Sequence, residues 1–248
     1  MSMNHTVDKL KQMRLSGMVE AIREQQENPH YQELSFGERL AHLVEKEWLL
    51  REESRFARRL KEARLRQRAT IEELDFHVSR GLDRAFILEL AGCEWIRRYH
   101  NLIITGPTGV GKTYLACALG HRACVMGYRV RYHRVGRLLS ELTLARGDGS
   151  YLDAMKALSK VQLLILDDWG LSPLTREEAL DLLEVIEERH QRGSTLIISQ
   201  VPVKAWHQLI GDGTIADAIL DRLVHSAYRV EMEGESMRKQ RSKVSTTR

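Results

Sequence analysis

One stretch of eight residues decides the fold class of this 248-residue chain: Gly106-Pro107-Thr108-Gly109-Val110-Gly111-Lys112-Thr113. It matches the pattern GxxxxGK[ST], in which glycines let backbone amides turn towards phosphate groups. In such a loop Lys112 reaches the β- and γ-phosphates, and the hydroxyl of Thr113 binds Mg²⁺. The apolar run 102–104 precedes the loop, and a helix-like run, 114–119, follows it. This order of strand, loop and helix predicts that residues 106–113 bind a nucleotide together with Mg²⁺.

Beyond residue 100, short apolar strands alternate with amphipathic helices. We predict the strands at 102–105, 129–132, 163–166, 195–199 and 228–232. Each strand is separated from the next by a helical stretch that is long enough for a crossover connection. This rhythm is typical of a parallel sheet covered by helices. The predicted fold class is therefore α/β, with a parallel five-stranded sheet.

Two carboxylates follow the third predicted strand, at Asp167 and Asp168. Parallel strands bind ligands at their carboxyl ends, so this pair is expected beside the phosphate-binding loop. Asp167 is the candidate partner of Mg²⁺, and Asp168 is the candidate for orienting or activating the attacking water. The alternative is that the two aspartates only cap the following helix.

Hydrolysis also requires a group that senses the γ-phosphate and a cation that neutralises developing charge. Ser199 and Gln200 end the fourth predicted strand, and either one is a candidate sensor. Arg222 lies on a later predicted helix and is a candidate cation, supplied by a neighbouring subunit. For the first pair the alternative is an ordinary end of a strand. For Arg222 it is an ion pair with Asp221 or Asp217 on the same helix.

The first part of the chain has a helical pattern with few glycines. Ser35 and Glu38 form the sequence signature of a capping box, and the apolar residues that follow at helical spacing predict a helix: Phe36, Leu40, Leu43, Val44 and Trp48. We predict a small all-helical domain at 1–69, an α/β domain at 70–238 whose residues 70–90 form a linker, and a basic tail at 239–248.

Charge is concentrated between residues 51 and 68, which hold eight basic and three acidic side chains. Phe56 and Leu60 are expected to pack inward. The opposite side of the helix then presents a candidate DNA-binding surface formed by Arg51, Arg55, Arg58, Arg59 and Arg66. Contacts of this kind bind phosphates, so they are sensitive to salt and nearly indifferent to base sequence. The alternative is a solvated helix on which these arginines pair with Glu52, Glu53 and Glu62.

Composition narrows the class of protein further. No run of about 18 apolar residues occurs, which argues against a membrane-spanning or secreted protein. The three cysteines, Cys93, Cys117 and Cys124, show neither a CxxC spacing nor an even number. A disulfide framework or a zinc site is therefore not expected, and a reducing cytoplasm fits best.

Longer stretches around these motifs resemble the IstB-type ATPases, which are transposition helper proteins of insertion sequences. The resemblance is carried by Asn101–Thr105 running into GPTGVGKT, by LLILDDWG at 163–170, by AILDRLVH at 218–225 and by GESMR at 234–238. It spans about residues 70 to 238. The family is related to the DnaC helicase loaders and to the initiator DnaA within the AAA+ class of P-loop NTPases.

The resemblance implies an ATPase that binds ATP and Mg²⁺, forms homo-oligomers on duplex DNA and delivers or stimulates a transposase. Position by position, it assigns Lys112 and Thr113 to the phosphates and Mg²⁺, and Asp167 to the metal. It also assigns Arg222 as an arginine finger acting in trans. Arg238, in the GES-x-R pattern, matches a second sensor that contacts the nucleotide.

This chain departs from the wider AAA+ pattern at two positions. Asp168 stands where many members have glutamate, and Gln200 stands where many have asparagine. Both changes bear on the rate of hydrolysis more than on nucleotide binding. Two other functions share a phosphate-binding loop and stay open: a helicase loader of the DnaC type, and a P-loop kinase that acts on a small molecule.

Overall fold

The computed structural model describes residues 3–77 and 80–237. The chain divides between Arg58 and Arg59 into two compact units, inside a long helix. This division differs from the domain limits expected from the sequence, at residues 69 and 238, which stay a prediction. None of the described helices is both long and apolar enough to cross a membrane.

The first unit consists of helices joined by short turns. Its elements are α1 at Met3–Gln12, α2 at Ser16–Glu27, a 3-10 turn at Pro29–Gln32 and the start of α3, which spans Phe36–Ala63. The predicted capping box is confirmed at the start of α3. The backbone N–H of Ser35 donates to Glu38 Oε2 at 2.8 Å, and that of Glu38 donates to Ser35 Oγ at 3.3 Å.

The apolar residues at the start of α3 are largely exposed, since Phe36 is 73 % exposed and Trp48 is 56 % exposed. Instead, α2 packs near Glu47, whose buried carboxylate accepts the backbone N–H of Gly17 at 2.8 Å. A Cβ on Gly17 would lie 2.6 Å from the Cα of Glu47, so the approach of α2 to α3 depends on a glycine. The packing face was therefore set by a glycine and a carboxylate, neither of which a hydrophobic pattern identifies.

The second unit contains the remaining helices and all the strands that the structure describes. Its helices after α3 are α4 at Arg84–Ala91, α5 at Glu94–Arg97, α6 at Lys112–Val125, α7 at Val135–Asp148, α8 at Tyr151–Ser159, α9 at Arg176–Arg189, α10 at Trp206–Ile210 and α11 at Gly213–Val224. Its strands are β1 at Asn101–Thr105, β2 at Val130–Arg134, β3 at Leu163–Trp169, β4 at Ser194–Ser199 and β5 at Ala227–Glu231. A short 3-10 turn at Val203–Ala205 precedes α10.

The five strands form one parallel sheet in the order β2-β3-β4-β1-β5. This confirms the predicted parallel five-stranded α/β sheet. Strand β4 lies between β3 and β1, and the register pairs Thr105 with Ser199 and Ser199 with Trp169. The carboxyl ends of β1, β4 and β3 therefore meet at one edge of the sheet.

The core of this unit lies between the sheet and its helices. Strands β1, β3 and β4 are buried almost throughout, as expected for a parallel sheet covered on both faces. Trp169 and Trp206 are buried, with ring centroids 5.1 Å apart. Arg189 is also buried, and its guanidinium donates to the backbone carbonyls of Leu158, Val161 and Ser194. These contacts fix the connections at the amino ends of the strands.

Candidate nucleotide-binding site

The predicted phosphate-binding loop connects β1 to α6, directly after Thr105. Gly106, Gly109 and Gly111 have φ angles of +148°, +87° and +105°. Residues with a Cβ rarely adopt such conformations, so the three glycines are required by the backbone path of the loop. α6 begins at Lys112, so its first backbone amides point into the loop, where the helix dipole favours an anion.

The segment after β5 packs against this loop, which sequence reasoning missed. The N–H of Met232 donates to the carbonyl of Thr105 at 2.8 Å, and the N–H of Met237 donates to the carbonyl of Gly109 at 3.0 Å. A Cβ on Gly106 would collide with the carbonyl oxygen of Met232. The segment after β5 therefore contacts the loop through backbone hydrogen bonds to Thr105 and Gly109.

Replacing Gly106 by alanine is expected to destabilise the protein by about 2 kcal/mol or more and to abolish nucleotide binding. The new methyl group meets the Met232 carbonyl, and alanine is strained at a φ of +148°. The measurement is the urea unfolding midpoint, together with binding of a fluorescent ATP analogue. The matched control is Gly147→Ala in α7, where an added Cβ meets nothing within 4 Å. Equal stability of the two variants would contradict the required glycine geometry.

Lys112 is buried beneath the loop and is 7 % exposed. Its Nζ donates to the carbonyls of Gly106 and Pro107, each at 2.7 Å. Burial lowers the pKa of Lys112, and the nearby carboxylates of Asp167 and Asp168 oppose that shift. The ammonium group therefore lies within the curve of the loop, where bound phosphate groups would meet it.

Asp167 is buried near the end of β3, and one of its carboxylate oxygens contacts several hydrogen-bond donors. Its Oδ2 accepts the hydroxyl of Thr113 at 2.9 Å and that of Tyr132 at 2.6 Å, and Arg66 Nη1 lies 3.6 Å away. Burial and the hydrogen bond to Asp167 raise the pKa of Tyr132, so its hydroxyl stays a donor. Tyr132 and Arg66 therefore fix the orientation of the carboxylate that was expected to bind the metal.

The hydroxyl of Thr113 and the carboxylate of Asp167 form a fitting donor set for Mg²⁺. Among the described residues, no group of three or more histidine, cysteine, aspartate or glutamate side chains could hold a metal. Mg²⁺ needs no such group, because it is commonly held by one or two protein oxygens, waters and the oxygens of substrate phosphates. Thr113 and Asp167, already in contact, are the residues that would hold it.

Asp168 has an unusual backbone and a charged partner. Its φ is +61°, and its N–H donates to Asp167 Oδ1 at 2.8 Å. Arg134, the last residue of β2, pairs with its carboxylate through Nε. A positive φ at a residue other than glycine costs free energy and often occurs at functional positions. The alternative of a helix cap is wrong, because Thr175 caps α9, the helix that follows β3.

The structure separates the two candidate sensors. The Oγ of Ser199 is buried and donates to the carbonyl of Trp169 at 2.8 Å. Gln200 reaches the phosphate-binding loop, where its Oε1 accepts the hydroxyl of Thr108 at 2.5 Å. Of the two, Gln200 is the one whose side chain contacts the loop.

A cavity of about 380 Å³ lies between these groups. One part of its lining consists of residues predicted from the sequence: Thr108, Gly109, Gly111, Lys112, Thr113, Asp167, Asp168 and Gln200. The other part was missed and includes Arg66, Leu74, Asp75, Arg80, Arg134 and Met237. The volume falls within the range of small-molecule sites in proteins. The cavity is therefore the candidate site for ATP.

Two of the five arginines expected on a DNA-binding helix face have other contacts. α3 ends at Ala63, so Arg66 is not on the helix and lines the cavity instead. Nε of Arg59 donates to the carbonyl of Cys124 at 3.0 Å. The placement of Arg66 on the helix is therefore wrong, whereas Arg59 lies on α3 and is half-buried. The other three, Arg51, Arg55 and Arg58, are exposed on α3.

Arg222 lies in the last turn of α11, and its side chain is 29 % exposed. The alternative of a pair with an aspartate of its own helix is wrong, because its partner is Glu187 of α9 at 2.7 Å. Its backbone carbonyl accepts the side chain of Asn101, the first residue of β1. The phosphate-binding loop follows the opposite end of β1, about 16 Å away along the strand. Arg222 therefore does not line the nucleotide cavity of its own chain.

Arg238, the expected second sensor, and the basic tail at 239–248 lie outside the described residues. The last described residue, Met237, lines the cavity.

Comparisons with known proteins identify the family and the fold. A family model described as IstB-like ATP binding protein matches residues 8–245. A Sinorhizobium fredii protein, named as an insertion sequence ATP-binding protein, is 52 % identical over 94 % of this chain and 96 % of its own length. The crystal structure of the DnaC helicase loader superposes with a TM-score of 0.55 at 18 % identity, over 66 % of this chain and 96 % of that chain. AMPPCP-bound DnaA from Aquifex aeolicus gives 0.56 at 20 % identity, over 75 % and 58 %.

Proposed function

The chain belongs to the family of IstB-like ATP-binding proteins and has the AAA+ P-loop fold, and on that premise we propose that it is an ATP-hydrolysing, DNA-binding helper of transposition. In its ATP-bound form it assembles on duplex DNA and delivers or stimulates a transposase. The observation that carries the proposal is one cavity that brings together Lys112, the Thr113–Asp167 pair and Gln200. With such a partner, the proposed location of the protein is the cytoplasm.

Each of these cavity side chains has a separate role in the proposed hydrolysis. Lys112 binds the β- and γ-phosphates, while Thr113 and Asp167 hold Mg²⁺, which when bound neutralises charge on the phosphates. Asp168 accepts a hydrogen bond, and then a proton, from the attacking water. Gln200 reports the state of the γ-phosphate to the phosphate-binding loop through its contact with Thr108.

The position of Arg222 supports the proposed self-assembly. A cation at the far edge of the sheet acts on the phosphates of a neighbouring copy, and an arginine supplied in this way stabilises the transition state. In the single chain Glu187 neutralises Arg222, so assembly has to exchange that ion pair for contact with the neighbour's nucleotide. Occupancy by ATP is thereby coupled to oligomer formation.

The exposed arginines of α3 are the proposed contacts with the DNA backbone. Arg51 pairs with Glu47 at 2.6 Å and Arg55 pairs with Glu52 at 2.5 Å. Glu47 is buried, whereas the Arg55–Glu52 pair lies at the surface. Ion pairs at the surface contribute little free energy, so phosphate groups can compete for Arg55. Binding through the exposed arginines positions the protein on a duplex without reading its sequence.

Replacing Arg55 and Arg58 together by glutamine is expected to weaken binding to duplexes of unrelated sequence equally. The slope of log affinity against log salt should fall by about one for each lost phosphate contact. Fluorescence anisotropy of labelled duplexes across a salt series measures both quantities. The control is Lys156→Gln, at an exposed lysine of α8. An unchanged slope in the double variant would assign these arginines to the solvated helix.

The whole proposal is tested by ATP hydrolysis without DNA, with single-stranded DNA and with duplex, while oligomer size is followed with a slowly hydrolysed ATP analogue. Nucleotide-dependent assembly on duplex, followed by stimulation of a transposase, is the expected result. Preference for single strands and co-purification with a hexameric helicase would identify a helicase loader instead. Phosphate transfer to a metabolite without any effect of DNA would identify a kinase.

A further inference from the structure

Arg80 is a buried cation that the proposed mechanism does not use. It lies in the connection between α3 and α4, is 6 % exposed and lines the nucleotide cavity. Its backbone carbonyl accepts the N–H of Glu233 at 3.0 Å, which anchors its main chain next to the segment that follows β5. Its Nη2 donates to the backbone carbonyl of Asp75, while its buried Nε has no hydrogen-bond partner within the described part of the chain.

The carboxylates of the same cavity are engaged elsewhere. Glu73 accepts the hydroxyl of Tyr114 at 3.0 Å, and Asp75 Oδ1 accepts the backbone N–H of His77 at 2.9 Å. Asp167 and Asp168 pair with other arginines, as described above. No ion pair of Arg80 occurs among the residues that the structure describes. A buried guanidinium without a counter-charge is unfavourable, so an anion entering the cavity would find an unsatisfied donor there.

The position of the Arg80 guanidinium indicates which phosphate group of a nucleotide it would contact. Nη1 of Arg80 lies 3.1 Å from the place that a Cβ of Gly111 would occupy, so the group lies against the phosphate-binding loop. Gly111 directly precedes Lys112, at the start of α6. The groups proposed to act on the γ-phosphate, Asp168 and Gln200, are supplied by the ends of β3 and β4, whereas Arg80 comes from the connection before α4.

We propose that Arg80 is a nucleotide-binding residue, whose guanidinium donates hydrogen bonds to a phosphate that ADP and ATP share. This inference rests on the proposed ATP site. Because the contact does not involve the γ-phosphate, it holds the nucleotide before and after hydrolysis alike. Through the same contact, a nucleotide in the cavity restrains Arg80, which lies between α3 and α4.

The test compares Arg80→Met and Arg80→Lys with the wild-type chain. The dissociation constants for ADP and for a non-hydrolysable ATP analogue should both rise about 10-fold or more in Arg80→Met, by the same factor. Arg80→Lys keeps the charge and should recover part of the affinity. Isothermal titration calorimetry measures the constants. Arg84→Met, at an exposed arginine on the first turn of α4, is the matched control and should bind as the wild type does.

A second readout separates binding from a structural role. Without nucleotide, Arg80→Met should melt at the wild-type temperature or above it, because it removes an unpaired buried charge. The rise in melting temperature that ADP produces should shrink in the same variant. If Arg80→Met melts well below the wild type without nucleotide while Arg80→Lys binds ADP normally, Arg80 is structural and the proposal is overturned.

The remaining outcomes are equally decisive. Wild-type affinity of Arg80→Met for ADP overturns the role of Arg80 and leaves the ATP site intact. A loss confined to the ATP analogue overturns it as well, since it would place Arg80 at the γ-phosphate. A loss for adenine but not for guanine nucleotides overturns it in favour of a contact with the base. Failure of the wild-type chain to bind either nucleotide would contradict the proposed function itself.

Discussion

Replacing Lys112 by alanine is expected to lower the affinity for ATP about 100-fold or more and to abolish hydrolysis. Hydrogen bonds from a charged donor contribute about 1.5–3 kcal/mol each, and Lys112 offers several to the phosphates. Alanine also leaves the carbonyls of Gly106 and Pro107 without the donor that now lies 2.7 Å from each of them. No other lysine lines the cavity among the described residues, so none can replace it.

The measurement is the dissociation constant of Mg²⁺-ATP by calorimetry, together with steady-state release of phosphate. Lys156→Ala, at an exposed lysine of α8, is the control and should leave both values unchanged. The melting temperature of each variant without nucleotide shows whether the loop is still folded. Normal affinity in a folded Lys112→Ala variant would remove the phosphate-binding role from residues 106–113.

The nucleotide loop and the sheet were predictable because local rules dictate them. A phosphate loop needs glycines at fixed positions, and all three have the positive φ angles that such a loop demands. The strands were predictable because a parallel sheet buried on both faces requires continuous apolar runs. Every predicted strand overlaps an observed one, and the ends differ by at most a few residues.

The end of α3 was not predictable, and the error about Arg66 follows from it. Helices commonly stop at a glycine in the left-handed conformation. Here Arg64 takes that conformation, with a φ of +49°, and the sequence carries no glycine or proline beside it. The basic run from 51 to 68 therefore looks like one helix face, although its last residues turn towards the cavity.

The rest of the site depends on contacts between residues that are distant in the chain. Tyr132 reaches Asp167 only because β2 pairs with β3, and the register of that pair is a tertiary property. Arg80 reaches Gly111 from a connection that carries no motif. The choice of Gln200 over Ser199 likewise required the geometry, since the two are adjacent in sequence and only one side chain contacts the loop.

Replacing Arg222 by alanine is expected to leave nucleotide affinity unchanged and to lower DNA-stimulated turnover about 1000-fold. Affinity is spared because Arg222 does not line the cavity of its own chain. Turnover should fall because, in the proposed assembly, the neighbouring copy no longer receives a cation at its γ-phosphate. Calorimetry with an ATP analogue and phosphate release on duplex DNA measure the two effects separately. A parallel loss of affinity would place Arg222 in its own chain's site and contradict action in trans.

Mixing variants gives the sharper test of this geometry. A Lys112→Ala chain keeps Arg222, and an Arg222→Ala chain keeps the phosphate-binding loop, so their mixture forms some complete sites and should exceed the turnover of either alone. Glu187→Gln is the matched control, because it weakens the 2.7 Å ion pair yet leaves the arginine in place. Turnover near the wild-type value in that control, with loss in Arg222→Ala, assigns the effect to the cation rather than to the broken pair. If the mixture stays inactive while both variants still assemble with wild-type chains, the neighbour does not supply the arginine.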